Sequence, residues 1–156
     1  MFYSILANIS VLTLAIYLYF RMNDYLDQKR AGPLKRNCFY CLWVVLVGTV
    51  LMKYSIVAFQ IHFDFRFILI ALACIYLDWS VVTASIFFLS LTRFIFGSNL
   101  MSVVNLFFYF YLMATLPIIS KYSKKRLSIF NQMNVTMAFM VTSSIILHLT
   151  ALKIIL

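Results

Sequence analysis

From Phe2 to Phe20 the chain runs for nineteen residues without a formal charge, and it repeats this pattern along its length. At 1.5 Å per helical residue, such a run covers about 30 Å, the hydrocarbon thickness of a bilayer. Cys38 to Phe63 is a second run, interrupted by the charge of Lys53 alone. Leu100 to Ser120 is a third, with Pro117 near its end, and Leu127 to Leu152 is a fourth of 26 residues. A soluble domain needs roughly a quarter of its residues charged. Here 11% are charged, 65% are hydrophobic and glutamate is absent. The chain cannot cover itself in water, and the expected fold class is all-α: a polytopic membrane helix bundle forming one domain over residues 1–156. Ser4 to Phe20 is followed by Arg21 rather than by a small-residue cleavage site, so it reads as a retained first helix rather than a signal peptide.

Charge bias sets the expected orientation. Nine of the thirteen Lys and Arg residues fall in two short segments. Arg21, Lys29, Arg30, Lys35 and Arg36 make one; Lys121, Lys124, Lys125 and Arg126 make the other. Basic clusters beside apolar spans mark cytoplasmic loops, which also argues against reading the net charge of +9 as a nucleic-acid footprint. The 26 residues from Phe67 to Thr92 then decide the topology. A single crossing there would put one basic cluster outside. A hairpin turning at Leu77-Asp78-Trp79 keeps both inside, so about six spans are expected, near 2–20, 38–63, 64–77, 79–96, 100–120 and 127–152. The two hairpin arms have 11 and 14 residues, only about 16 and 21 Å of helix.

The hairpin brings Arg66 and Arg93 to one face, expected to be external, with His62, Asp64, Asn99 and Asn105 nearby and Ser98 beside them. Two guanidinium groups in a low-dielectric pocket form a clamp for carboxylate or phosphate, because each offers a planar fork of donors. The competing reading is that Asp64 pairs with one arginine and pins the hairpin without any ligand. One aspartate against two arginines leaves positive charge over, which favours an anion. Lys53 either snorkels along its helix or joins the same pocket. Asp78 reads as a turn or cap residue, His148 and the methionines at 133, 137 and 140 as packing. Cys38, Cys41 and Cys74 read as ordinary reduced thiols, since the Cys38–Cys41 pair has no second pair to complete a metal site. Hydrolytic templates find no support, so no enzyme activity, metal or cofactor is expected of this chain.

Phe63-Asp64-Phe65-Arg66, an apolar hairpin, then Thr92-Arg93-Phe94 with Gly97 after it resembles the five-transmembrane receptor region of LytS-type sensor proteins. The family pattern is an Asp-x-Arg before a short apolar helix, then a second arginine before a glycine-rich turn. The resemblance covers roughly Met1 to Ile119, and the opening is most similar to the sensor halves of membrane-bound diguanylate cyclases of Gram-positive bacteria. Two positions depart from the pattern: Gly97-Ser98 stands for the usual Gly-Gly, and Leu77-Asp78-Trp79 for the Gly/Pro turn. The resemblance implies a bacterial plasma-membrane sensor domain, S-component-like in helix arrangement, that binds a small external anion of the carboxylate type. It implies Arg66, Arg93 and Asp64 as site residues and a GGDEF or histidine-kinase output domain on the cytoplasmic side, with homodimerisation compatible with that role. Six spans that start outside also end outside, so one further crossing after Leu156 is expected in a longer protein. The alternative is the substrate-binding membrane subunit of an uptake transporter; Ala7 and Ala15, eight apart, lack the Ala-x-x-x-Ala spacing of such subunits.

Overall fold

The computed structural model describes residues 2–30, 32–54, 56–58, 61–63, 65–95 and 100–155, with all side chains among them except those at 56–58, 61–63, 94–95, 100–102, 148 and 151–155. In chain order the elements are α1 (Phe2–Gln28), α2 (Pro33–Lys53), β1 (Ile56–Ala58), β2 (Ile61–Phe63), α3 (Arg66–Tyr76), α4 (Trp79–Ile95), α5 (Leu100–Arg126) and α6 (Ile129–Ile155). The fold is helical, with one small β-hairpin. The helices α1, α2 and α5 contain stretches long and apolar enough to cross a membrane, while α3 and α4 are shorter apolar helices.

Contacts along the helices give their directions. Asn8 near the start of α1 donates to the carbonyl of Tyr54 at the end of α2 (2.8 Å), and Tyr19 of α1 packs against Tyr40 early in α2; these two helices are antiparallel. In α4, Leu89 packs on Gly48 and the Thr92 hydroxyl reaches the Met52 sulfur at 3.9 Å, so α4 runs parallel to α2. Phe67 of α3 meets Phe108 of α5, and the Ser120 hydroxyl donates to the Cys74 carbonyl at 3.4 Å. The last two helices, α5 and α6, join through Leu127 and Ser128, with Tyr111 stacked on Phe139. The result is an up-and-down bundle in which the α3–α4 hairpin lies inside, against α2, α5 and α6.

The interior of the bundle explains the hairpin. Six of the eleven residues of α3 are buried, Arg66, Leu69, Ile70, Ala71, Ala73 and Cys74, over somewhat more than half of its circumference, and every other residue of the helix is apolar too. A helix apolar on most sides is a core helix. It ends at Tyr76 because Leu77 turns to an extended backbone (ψ 160°). The carbonyl of Asp78 then accepts from the amides of Val81 and Val82, starting α4. Asp78 is thus the residue before a helix, as expected of it.

Several element ends differ from the apolar runs. Beyond Phe20, α1 continues to Gln28; α2 begins at Pro33 rather than Cys38; α5 continues to Arg126. Charge limits burial in hydrocarbon, not helicity: straight-chain residues such as Arg, Lys and Gln hold helical backbone well in water. The helix α1 stops where Arg30 takes a positive φ of 47°, and Pro33 opens α2, its missing amide hydrogen costing nothing at a first-turn position. The second run is the larger correction. Its helix ends at Lys53, and β1 and β2 pair antiparallel in the register Ile56 with Phe63, Val57 with His62 and Ala58 with Ile61. Ile56, Val57 and Ile61 are β-branched, which suits a pleated strand, and an unbroken apolar run does not reveal whether it is strand or helix.

α2 and α4 pack closely at Gly48, where an added Cβ would lie 2.5 Å from Cδ2 of the fully buried Leu89. We expect Gly48→Val to force α2 and α4 apart and to destabilise the purified protein by about 1–3 kcal/mol, read as a lowered melting temperature in detergent. An unchanged melting temperature would show that Leu89 can move aside.

Candidate functional site

The bundle directions bring the N-terminus of α3 and the C-terminus of α4 to one end. Arg66 is the first residue of α3, and Arg93 lies in the last turn of α4. The expectation that both arginines share one end therefore holds in the fold. Arg66 is 6% exposed, and its guanidinium carbon stands 5.7 Å from the ring centroid of the buried Tyr109 on α5. That lies within cation–π range, where a desolvated pair is worth roughly 1–2 kcal/mol. Asn105 is four residues before Tyr109, hence on the same face of α5, and is half-buried, as is Arg93. Arg66, Arg93 and Asn105 thus occupy the same end of three neighbouring helices.

The other expected site residues are less fully placed. His62 is on β2 with its backbone opposite Val57, while its side chain, with Asp64 and Asn99, lies outside the described residues. Lys53 closes α2 and is exposed. It stands at the end of its helix rather than ten residues inside a span, and a cation there complements the partial negative charge of the last carbonyls.

One buried polar residue at this end has no counterpart in the expectations. Asn8 is fully buried, and its amide nitrogen donates to the carbonyls of Ser4 and Tyr54, both at 2.8 Å. Its carbonyl oxygen, Oδ1, has no hydrogen-bond partner among the described residues. A lone asparagine within an otherwise apolar run was the available signal.

The opposite end carries both basic clusters and a second polar assembly. Arg36 spans α1 and α2: its Nη1 meets Asp27 Oδ1 at 3.0 Å and its Nη2 meets Asn23 Oδ1 at 3.0 Å. The same Asn23 oxygen accepts the Tyr40 hydroxyl at 2.6 Å, and the Tyr40 oxygen accepts from Arg36 Nε at 3.2 Å. Tyr19, Tyr40, Tyr76, Arg36, Asn37 and Asp78 line a cleft of about 470 Å³ beside it. Sequence reasoning placed Arg36 only within a basic loop. The missed signal was the pairing of two four-residue spacings, Asn23 with Asp27 and Arg36 with Tyr40, which face each other across the α1–α2 corner.

Comparison with protein-family models, with curated proteins and with solved structures found no match to this chain.

The buried member of this assembly should matter more than the exposed one. Tyr40→Phe is expected to cost about 1 kcal/mol, because it removes the hydroxyl that donates to the Asn23 oxygen and accepts from Arg36 Nε. Asp27→Asn, in an ion pair whose side chains are 41% and 54% exposed, is expected to cost less than about 1 kcal/mol. Thermal melts of the two variants in detergent at moderate salt give the comparison, and a larger loss for Asp27→Asn would reverse the ranking.

Proposed function

We propose that this chain is a multi-pass plasma-membrane sensor domain that binds a small external carboxylate through Arg66 and Arg93. On this reading all six helices lie in the bilayer, α3 and α4 as a hairpin within the bundle. Both basic clusters face the cytoplasm, as the Lys/Arg bias of cytoplasmic loops requires, and the arginine end faces outward. The β1–β2 hairpin then stands at the outer edge, since open sheet edges are not tolerated in contact with lipid.

The observation that carries the proposal is the separation of charge between the two ends. Asp24 and Asp27 are in the last turns of α1 and Asp78 is at the hairpin turn, all at the basic end. Of the chain's four acidic residues only Asp64, two before Arg66, can adjoin the arginines. One carboxylate cannot neutralise two guanidinium groups, and a buried guanidinium such as Arg66 is costly unless its charge is balanced. A carboxylate ligand supplies the missing charge with the bidentate geometry that arginine favours. Asn105, on the same face of α5 as Tyr109, is suited to donate to it. The resemblance to LytS-type receptor regions points to the same residues and to a cytoplasmic GGDEF or histidine-kinase output in a longer polypeptide. Binding would then favour a state in which α3 and α4 are shifted against their neighbours, and the equilibrium would move by no more than the ligand's difference in affinity for the two states. The uptake-subunit alternative gains nothing from α1, where Ala15 is buried instead of lying on an open docking face.

Pyruvate serves as the first probe. At about 100 times its Kd it should stabilise the detergent-purified protein by roughly 2.7 kcal/mol, and Arg66→Ala and Arg93→Ala should each remove the shift. Because the Arg66 variant risks misfolding, Arg93→Lys, which keeps the charge but loses the fork, is the companion; it should weaken the shift at an unchanged basal melting temperature. A full response in both alanine variants would remove the clamp. Orientation is read separately, with Cys38, Cys41 and Cys74 replaced by serine. A thiol introduced by Lys53→Cys should react with an impermeant reagent on intact cells, and one introduced by Lys125→Cys only after permeabilisation. The reverse pattern would invert the topology.

A further inference from the structure

Lys121 and Lys125 stand four residues apart on α5 and, with Ile118 and Tyr122, line a groove of about 360 Å³ on the outside of the bundle. Spacings of three and four put all four residues on one face of the helix. The rotation of α5 is fixed from the other side. Ser120 and Ser123 are buried, the first donating to the Cys74 carbonyl at 3.4 Å and the second to the Ser120 carbonyl at 3.2 Å. The lysine face is therefore held outward. Ile118 is 58% and Tyr122 69% exposed, so an apolar strip leads directly up to the two ammonium groups. Among the described residues neither lysine is paired with a carboxylate.

We propose that this groove binds one anionic phospholipid of the surrounding bilayer, its phosphate between Lys121 and Lys125 and an acyl chain along Tyr122 and Ile118. The inference rests on the membrane reading above. Charge complementarity names the occupant: a phosphodiester supplies the negative charge, and a basic segment at the edge of an apolar span is where an anionic leaflet is read. The chain also contains its own control. Lys124 and Arg126 carry the same charge at the same end of α5 but do not line the groove. A general electrostatic field would draw on all four side chains alike, as would compensation of the α5 dipole. A site draws on two.

The test is native mass spectrometry of the full chain released from detergent micelles doped equally with phosphatidylglycerol and phosphatidylcholine. The wild-type chain should retain one phosphatidylglycerol in preference to phosphatidylcholine. Lys121→Gln with Lys125→Gln should lower that retention by about tenfold or more, and Lys124→Gln with Arg126→Gln should leave it near wild type. Equal losses in the two double variants would reduce the effect to a field and overturn the site, as would a wild-type chain without headgroup preference. A chain that stays dispersed without detergent would overturn the membrane reading itself, and the groove proposal with it.

Discussion

Eleven residues of helix cover about 16 Å, half of a hydrocarbon layer, and α3 has only that length. A helix so short cannot present its ends to water on both sides of a membrane by itself. It holds its place because α2, α4, α5 and α6 enclose it, and its own sequence is apolar on almost every face. The shortness of α3 also determines where the charge at its head must sit. Arg66 begins the helix and is drawn below the surface of the bundle, over Tyr109, while Lys53 at the end of the longer α2 stays exposed.

From that constraint the two ends of the molecule acquire different chemistry. One gathers nine basic residues, three aspartates and an ordered set of side-chain hydrogen bonds joining α1 to α2. The other gathers two sequestered or half-sequestered guanidinium groups and a buried asparagine. Close contact of α2 with α4 is made at Gly48, where the absence of a side chain leaves room for Leu89. Packing of this kind, small residue against large, is how helices associate where lipid supplies no hydrophobic drive.

The hairpin was legible in the sequence because two separate constraints agreed on it. The charge bias required an even number of crossings between the basic clusters, and Asp78 interrupted the only apolar stretch able to provide them. The observed helices, Arg66–Tyr76 and Trp79–Ile95, leave their break at the residues expected to turn. The β1–β2 hairpin was not legible, because Ile56 to Phe63 is as apolar as the helix before it and too short for periodicity to choose. Nor were the true ends of α1, α2 and α5, since hydropathy reports where hydrocarbon stops and not where hydrogen bonding stops. For the candidate site, the common end of Arg66 and Arg93 followed from the hairpin alone. The cover of Tyr109 over Arg66 and the role of Asn8 depended on how helices distant in sequence are rotated, which no local pattern records.

The attachment of α1 has a mechanical side. Only Asn8, Leu12 and Ala15 are buried on this helix, and it rests mainly on α2. Its two polar fastenings lie at opposite extremities, the Asn8 amide on Tyr54 and the Asn23 oxygen shared by Arg36 and Tyr40. Between them α1 is held by the buried Leu12 and Ala15 and by Tyr19 and Phe20, whose rings meet Tyr40 and Tyr76. With so narrow a buried stripe, α1 is the helix whose undocking would expose the least of the bundle's interior.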